Sequence, residues 1–283
     1  MRQLPSPLRL VVFDLDGVIY RGLDPLPGAV QLVNRLHGAG MLVRFATNNS
    51  MATRTEYVER LGAMGIRATA DEIVTSTTAT IEYLGRHAPS VRRVLAVGEA
   101  GMLAELREAG YDATAAADAA SQPYDGAPLD DRYDAVIGGL DRSFDYARLA
   151  AAASAVRSGA RFVATNVDAR YPTAVGFLPG AGSIVAAIAT ASGAEPLVIG
   201  KPGPAMFTEI VESAGIPPDQ AVVVGDNPDA DVVGARRAGL FSVLVLTGVA
   251  DAAMLPDLSG EREPDLVVRD ADELAALLAE PVS

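Results

Sequence analysis

The chain has 283 residues, 49% of them hydrophobic, and a formal net charge of −13. That length and apolar content support a sizeable core of one or two domains rather than disorder. The acidic balance argues against nucleic acid or an anionic membrane as the main partner, and the absence of cysteine excludes disulfides, thiolate zinc sites and cysteine nucleophiles.

Residues 1–7 lack the apolar core of a signal peptide. Leu10-Val11-Val12-Phe13 is a short β-branched and aromatic run that reads as a buried central strand. It stops abruptly at Asp14-Leu15-Asp16-Gly17. Carboxylates are costly to bury unpaired, and ligands of open α/β sheets bind at the carboxyl ends of strands. The same residues also suit an ordinary Asp/Gly turn. Residues 27–37 form a predicted helix, with Pro27 at its start and Gly38 and Gly40 beyond it. Residues 41–46 are a second apolar strand running into Thr47-Asn48-Asn49-Ser50. Helices are predicted over 53–64 and 77–87, with a short extended piece at 72–76 between them.

A strand over 91–97 and a helix over 99–109 follow. Residues 113–131 are rich in Ala, Asp, Pro and Gly and read as an irregular connection. A strand and glycine turn span 133–139, a helix 145–158, a strand 161–164 and a polar loop 165–172. Gly180-Ala181-Gly182-Ser183 opens a helix to about Ala191. It partly fits a dinucleotide-binding G-x-G-x-x-G/A, but Val185 holds the last position and Pro179 precedes it, so a closely packed helix start is expected. Strand 196–199 ends in Gly200-Lys201-Pro202, and a helix over 205–214 follows. Strand 220–224 ends in Gly225-Asp226-Asn227-Pro228-Asp229-Ala230-Asp231 and a helix to Ala238. The strand over 242–246 and the helix over 270–279 complete the chain. No apolar run nears the ~20 residues of a membrane span, and the cysteine-free composition fits a cytoplasmic home.

Strands alternating with helices predict a mostly parallel sheet. The strand ends at Asp14/Asp16, Thr47/Asn48, Lys201 and Asp226/Asp231 are then expected on one edge, sharing a pocket. Lys201 is the single lysine among 22 arginines, which singles out a position needing a compact ammonium. Only His37 and His87 are present, both in helix-like stretches, so a Ser-His-Asp triad is not expected. Clustered carboxylates repel one another unless a cation intervenes. Oxygen donors alone select a hard divalent cation, Mg²⁺. Metal, ammonium and hydroxyl and amide donors together suit a phosphoryl group. The available nucleophile is a carboxylate, and a second carboxyl two residues on can move the proton.

These four motifs, in this order, resemble those of the haloacid dehalogenase superfamily. They are most similar to its phosphatase branch with a large cap between the second and third motifs, which includes p-nitrophenyl, NagD-type, phosphoglycolate and pyridoxal-phosphate phosphatases. The resemblance extends to Ala164-Thr165-Asn166 and Leu178-Pro179-Gly180-Ala181-Gly182-Ser183. It implies an α/β fold: a Rossmann-like doubly wound parallel sheet core (1–80 and 194–283) with an inserted α/β cap domain (81–193). It implies a Mg²⁺-dependent phosphatase of small phosphorylated metabolites acting through an aspartyl-phosphate. Asp14 is then the nucleophile and Asp16 the general acid/base, which also lends its backbone carbonyl to Mg²⁺. Thr47, Asn48 and Lys201 hold phosphate, Asp14, Asp16 and Asp226 bind the metal, and Asp231 supports it. Ala230 departs from the branch, which often has Thr there, while Asp229 reads as a solvated helix-start charge. The loop with Asn166, Asp168 and Arg170 occupies the substrate-specificity position, with Arg21 and Arg142 as weaker anion contacts. Phosphotransfer or mutase chemistry in the same pocket, or a non-catalytic phosphometabolite-binding regulatory protein, stay open as alternatives. So does a homodimer through the cap.

Overall fold

The computed structural model describes residues 3–120, 133–173 and 176–278. It divides into two compact units. Met1–Thr47, Arg54–Val74 and Lys201–Ser283 form the first; Asn48–Thr53 and Thr75–Gly200 form the second.

In the first unit the strand Leu10–Phe13 lies between Ala221–Gly225 and Leu42–Thr47, parallel to both. Phe241–Val245 and then Leu266–Val268 extend the sheet beyond Ala221–Gly225, also parallel. Ile73–Thr75 lies at the other edge. The chain therefore winds outward from Leu10–Phe13 in one direction, then restarts beside it and winds outward in the other. This doubly wound order leaves a switch point between Leu10–Phe13 and Ala221–Gly225, where a crevice opens at the strand ends. Leu10, Val11 and Val12 are wholly buried and Phe13 nearly so, which is why this strand reads as a continuous apolar run rather than an alternating one.

The second unit holds a five-stranded sheet in the order Leu197–Val198, Arg161–Ala164, Ala135–Gly138, Arg93–Val97, Asp112–Ala115. All neighbours are parallel. Helices Tyr146–Arg157 and Ala181–Ser192 pack on it with small side chains, Ala151, Ala152, Ala155 and Ala181, which let Val136, Phe162 and Ile188 interdigitate closely. Asp145 starts the first of these helices by accepting the Arg148 N–H at 2.9 Å. Among the described residues no helix is long and apolar enough to cross a membrane.

Several readings of the sequence change here. Leu197–Val198 pairs with Arg161–Ala164 in the second unit. Three of the four chemically loaded strand ends, not all four, therefore share the edge of one sheet. Lys201 is instead the first residue after the chain returns to the first unit. The longer of the second unit's two segments runs from Thr75 to Gly200. At its start, the Ser76 hydroxyl is bound to the Asn48 carbonyl at 2.7 Å; near its end, Leu197–Val198 completes the five-stranded sheet. Within the stretch read as irregular, Asp112–Ala115 is an edge strand and Ala116–Ala120 a helix; residues 121–132 lie outside the described residues. Asp-Ala-Thr-Ala carries little strand signal, and pairing with Arg93–Val97 overrides it. The polar loop after Ala164 continues into an antiparallel hairpin, Arg170–Thr173 with Gly176–Pro179. Leu266–Val268, only three residues long, was too short to be read as a strand.

Candidate active site

The first unit gathers its polar residues at the switch point. Asp14 follows the central strand, and its N–H donates to the Val224 carbonyl at 2.8 Å. The Lys201 ammonium donates to Asp14 Oδ1 at 2.5 Å, to Asp231 Oδ1 at 2.7 Å and to the Ala46 carbonyl at 3.2 Å. Its three donors thus meet three acceptors. A guanidinium fork could not converge on these three points, which explains a lone lysine in an arginine-rich chain. Asp231 Oδ2 accepts the Asn227 N–H at 3.1 Å. Asp226 Oδ2 accepts the Val249 N–H at 2.6 Å. Carboxylate oxygens of Asp14, Asp226 and Asp231 lie within 4.8 Å of one another.

Local backbone explains how these groups approach. Gly17 has φ +80°, a left-handed conformation that glycine adopts without strain. A Cβ on Gly17 or on Gly248 would collide with the Asp226 carboxylate, and one on Gly225 would collide with Asp231. Thr47, at the end of Leu42–Thr47, is buried on the same sheet. After Ala221–Gly225 the chain enters a π-helical turn, Pro228–Val232, which delivers Asp231 back towards the strand end. Asp229 points outward and pairs with Arg262 at 2.7 Å, as expected of a solvated charge.

Burial drives the electrostatics. Asp14 is held well above the usual carboxylate range by burial and by repulsion from Asp231 and Asp226, with Lys201 opposing. Asp226 is pushed up to about 6 by burial and by Asp231, against the Val249 N–H. Burial alone would weaken the Lys201 ammonium, but Asp14 and Asp231 outweigh it and raise its pKa. Asp16 is solvent-exposed, yet surrounding protein still raises its pKa, with Arg60 and then Lys201 opposing. Three crowded carboxylates, two of them raised in pKa, are a donor set that a hard divalent cation fits. Of the predicted metal residues, Asp14 and Asp226 contribute to this cluster, as does the predicted supporter Asp231; the Asp16 carboxylate lies outside it.

The remaining sequence candidates sit in the second unit. Asn48 donates through Nδ2 to Asp168 Oδ2 at 3.0 Å, and Asn166 Nδ2 donates to the Asn48 carbonyl at 2.7 Å. Arg170 is exposed, with its guanidinium 5.6 Å from the Phe177 ring centre. Arg142 pairs with Glu99 at 2.8 Å. Arg21, in the first unit, donates to the Thr247 carbonyl at 2.7 Å. Gly180 and Gly182 allow the helix start to sit against the Val167 and Asp168 carbonyls, where a Cβ would collide; this is close packing, as the sequence suggested.

Two features escaped sequence reading. Thr247-Gly248-Val249, past a strand end, grips Asp226 and also holds the Gly17 carbonyl through the Thr247 hydroxyl at 2.6 Å. A Thr-Gly pair at a strand end was the available signal. Arg60 is half-buried, 5.7 Å from the Tyr20 ring centre and 5.4 Å from that of Tyr57, and it offsets charge on Asp16. Nothing in the helix Arg54–Ala63 marked that arginine among its neighbours.

A family model described as haloacid dehalogenase-like hydrolase matches residues 11–112, and a HAD-hydrolase-like model matches 198–274. D-glycerol 3-phosphate phosphatase of Mycobacterium tuberculosis is 38% identical over 253 residues, covering 89% of this chain and 67% of that one. Acid sugar phosphatase of Staphylococcus epidermidis is 34% identical over 239 residues, covering 84% and 86%. The crystal structure of the mycobacterial glycerol phosphate phosphatase with magnesium superimposes with a TM-score of 0.82 at 37% identity, covering 97% of this chain and 78% of that one. Its calcium complex gives 0.81 at 37% identity, covering 95% and 75%. The p-nitrophenyl phosphatase of Archaeoglobus fulgidus gives 0.84 at 30% identity, covering 95% and 98%. Matches over both halves of the core and similarity along nearly the whole length have one reading: the chain belongs to the haloacid dehalogenase-like hydrolases.

Proposed function

We propose that this chain is a Mg²⁺-dependent phosphatase that hydrolyses small phosphate monoesters through an aspartyl-phosphate on Asp14. The observation that carries the reading is the Lys201 ammonium, buried between Asp14 and Asp231 at 2.5 and 2.7 Å beside Asp226. A buried lysine holding a carboxylate next to further carboxylates is an arrangement for anion chemistry, because packing alone would not repay its desolvation. Asp14, Asp226 and Asp231, with the Asp16 backbone carbonyl, would hold the metal. A divalent cation there supplies the charge that keeps the carboxylates ionised at neutral pH and offsets the charge on the phosphoryl group.

The chain's own groups divide the remaining work. An Asp14 oxygen attacks phosphorus as the bond to the ester oxygen breaks, and Asp16 hands its proton to that oxygen. Asp16 then takes a proton from water as the water oxygen attacks the same phosphorus, releasing phosphate and restoring both carboxyl groups. The raised pKa of Asp16 suits a group that must donate and accept in turn. Lys201, Thr47 and Asn48 hold the phosphoryl oxygens. The unit Thr75–Gly200 is the inserted cap, with Arg170 as the candidate contact to a second anionic group on the substrate.

The test is release of phosphate from p-nitrophenyl phosphate, glycerol 3-phosphate and sugar phosphates by purified protein with Mg²⁺. Turnover that a chelator abolishes and added Mg²⁺ restores is the expected result; turnover indifferent to chelator would overturn it. The same site sets a pH dependence. In the metal-free fold Asp226 titrates near about 6, above its ordinary 3.8. The stability tied to its proton is therefore present at low pH and lost as pH rises through about 6. Metal must displace that proton, so apparent affinity falls about tenfold per pH unit below this point. The melting-temperature gain on adding Mg²⁺ is accordingly expected to grow as pH rises through about 6 and then level off. A gain that shrinks over that range contradicts the assignment.

A further inference from the structure

Asn48 is the residue after Thr47, and in the second unit it belongs to a closed ring of hydrogen bonds. Its Nδ2 donates to Asp168 Oδ2 at 3.0 Å, the Asp168 N–H donates to Asn166 Oδ1 at 3.2 Å, and Asn166 Nδ2 donates back to the Asn48 carbonyl at 2.7 Å. The Ser76 hydroxyl is a second donor to that carbonyl, at 2.7 Å. Ser76 is wholly buried and Asn166 is 5% exposed. The polarity of the ring is dictated by chemistry. An ionised carboxylate only accepts, so the NH₂ end of Asn48 must face Asp168; a carbonyl only accepts, so the NH₂ end of Asn166 must face Asn48.

With both ends of its amide assigned, Asn48 has one orientation. Its Oδ1 lies over Gly200, where a Cβ would come within 2.6 Å. Asp168 is itself fixed by its main chain, since its carbonyl accepts the Gly182 N–H at 3.0 Å. A residue meant to read varied leaving groups gains nothing from main-chain ties to Asn166 and Gly182 together with a side-chain tie to Asn48, a neighbour 120 positions away. A residue meant to hold that neighbour still gains directly, because a preordered amide loses less side-chain entropy on binding.

We propose that Asp168 and Asn166 are positioning residues that lock the Asn48 amide for the phosphoryl group common to all substrates, and do not read the leaving group. This rests on the phosphatase reading and on Asn48 as a phosphoryl contact. It leaves discrimination among leaving groups to residues such as Arg170.

The experiment compares wild type, Asp168→Ala, Asp168→Asn, Asn48→Ala and the Asn48→Ala/Asp168→Ala double variant as Mg²⁺-loaded enzymes. The readouts are kcat and KM on p-nitrophenyl phosphate, glycerol 3-phosphate and glucose 6-phosphate, and the melting-temperature shift caused by inorganic phosphate. Loss of a hydrogen bond to a charged group predicts a fall in kcat/KM of about tenfold for Asp168→Ala, by a common factor on all three esters, with a weaker phosphate-induced shift. Asp168→Asn, which keeps an accepting oxygen, recovers most of it. Asp168→Ala adds nothing in the Asn48→Ala background, because both act through one amide. A loss confined to one ester, an unchanged phosphate shift, or full additivity in the double variant overturns the proposal. If Asp168→Ala does not fold, Asn166→Asp carries the same comparisons, since its carboxylate cannot donate to the Asn48 carbonyl. Absence of turnover in wild type would refute the phosphatase reading instead, and the phosphate-induced shift still decides whether the ring positions Asn48.

Discussion

Asp14→Asn is expected to lower kcat on p-nitrophenyl phosphate by at least about 10⁴-fold, as removal of a nucleophile does. Melting of the metal-free protein should meanwhile change by no more than a few degrees. The two expectations come from one observation. Burial, Asp231 and Asp226 all disfavour the charged form of Asp14, and Lys201 only partly offsets them. A carboxylate held against that gradient contributes little to stability, and its neutral isostere is tolerated. The amide keeps an oxygen to accept from Lys201, so the site stays assembled. The amide is not a competent nucleophile toward phosphorus, so hydrolysis stops. Measured turnover within about tenfold of wild type would place the nucleophile elsewhere.

Lys201→Met is expected to abolish turnover too, but, unlike Asp14→Asn, to lower stability substantially. The ammonium is 5% exposed and faces two carboxylates, one 12% and one 3% exposed. Removing one partner of a buried ion pair costs about 3–5 kcal/mol, because the remaining charges are left unpaired. For a chain of this size that is a fall of roughly 10 °C in melting temperature at neutral pH. The sign of the pH dependence follows. Lys201 has its pKa raised above 10.5, so its contribution is fully present through the neutral range and is lost only at much higher pH. Of the carboxylates it offsets, Asp226 takes up a proton as pH falls through about 6, and Asp14 is likewise raised by burial and by its carboxylate neighbours. The deficit of the variant should therefore shrink on acidification, and Mg²⁺ should recover part of it at neutral pH. A deficit equal at both pH values, read by thermal melting, would mean that lost packing and not charge sets the cost.

Much of this site was legible in the sequence because it is built from strand ends. A wholly buried strand must be a continuous apolar run, so its termination at Asp14 is abrupt and visible. Gly17 and Gly225 follow the same logic: each stands where a Cβ would strike a carboxylate, and each marks a turn beside one. Lys201 stood out by rarity alone. The expected chemistry of oxygen ligands and an ammonium came from residue types, and residue types do not depend on geometry.

What the linear chain could not convey was which pieces pair. Leu197–Val198 looks like any other strand before a loaded loop, yet its two residues pair with Val163 and Ala164. That pairing puts the strand in the second unit and leaves Lys201 to begin the return to the first. Asp112–Ala115 and Leu266–Val268 are strands only because neighbours supply the hydrogen bonds. The ring that Asn166 and Asp168 close with Asn48 depends on bringing together residues 118 and 120 positions apart.

By itself, then, the sequence determined the chemistry of this protein: carboxylates at two parallel strand ends, a single ammonium, hydroxyl and amide donors, and no cysteine or suitable histidine. These are local properties, set by side-chain type and by apolar runs that end where charge begins. Only the tertiary structure decided how the work is divided. It made Lys201 a bridge between Asp14 and Asp231, placed Asp226 under the Val249 N–H, and bound Asn48 into a ring. Those outcomes rest on distances between residues far apart in the chain. They are set by which strands pair and by where glycine lets two segments touch.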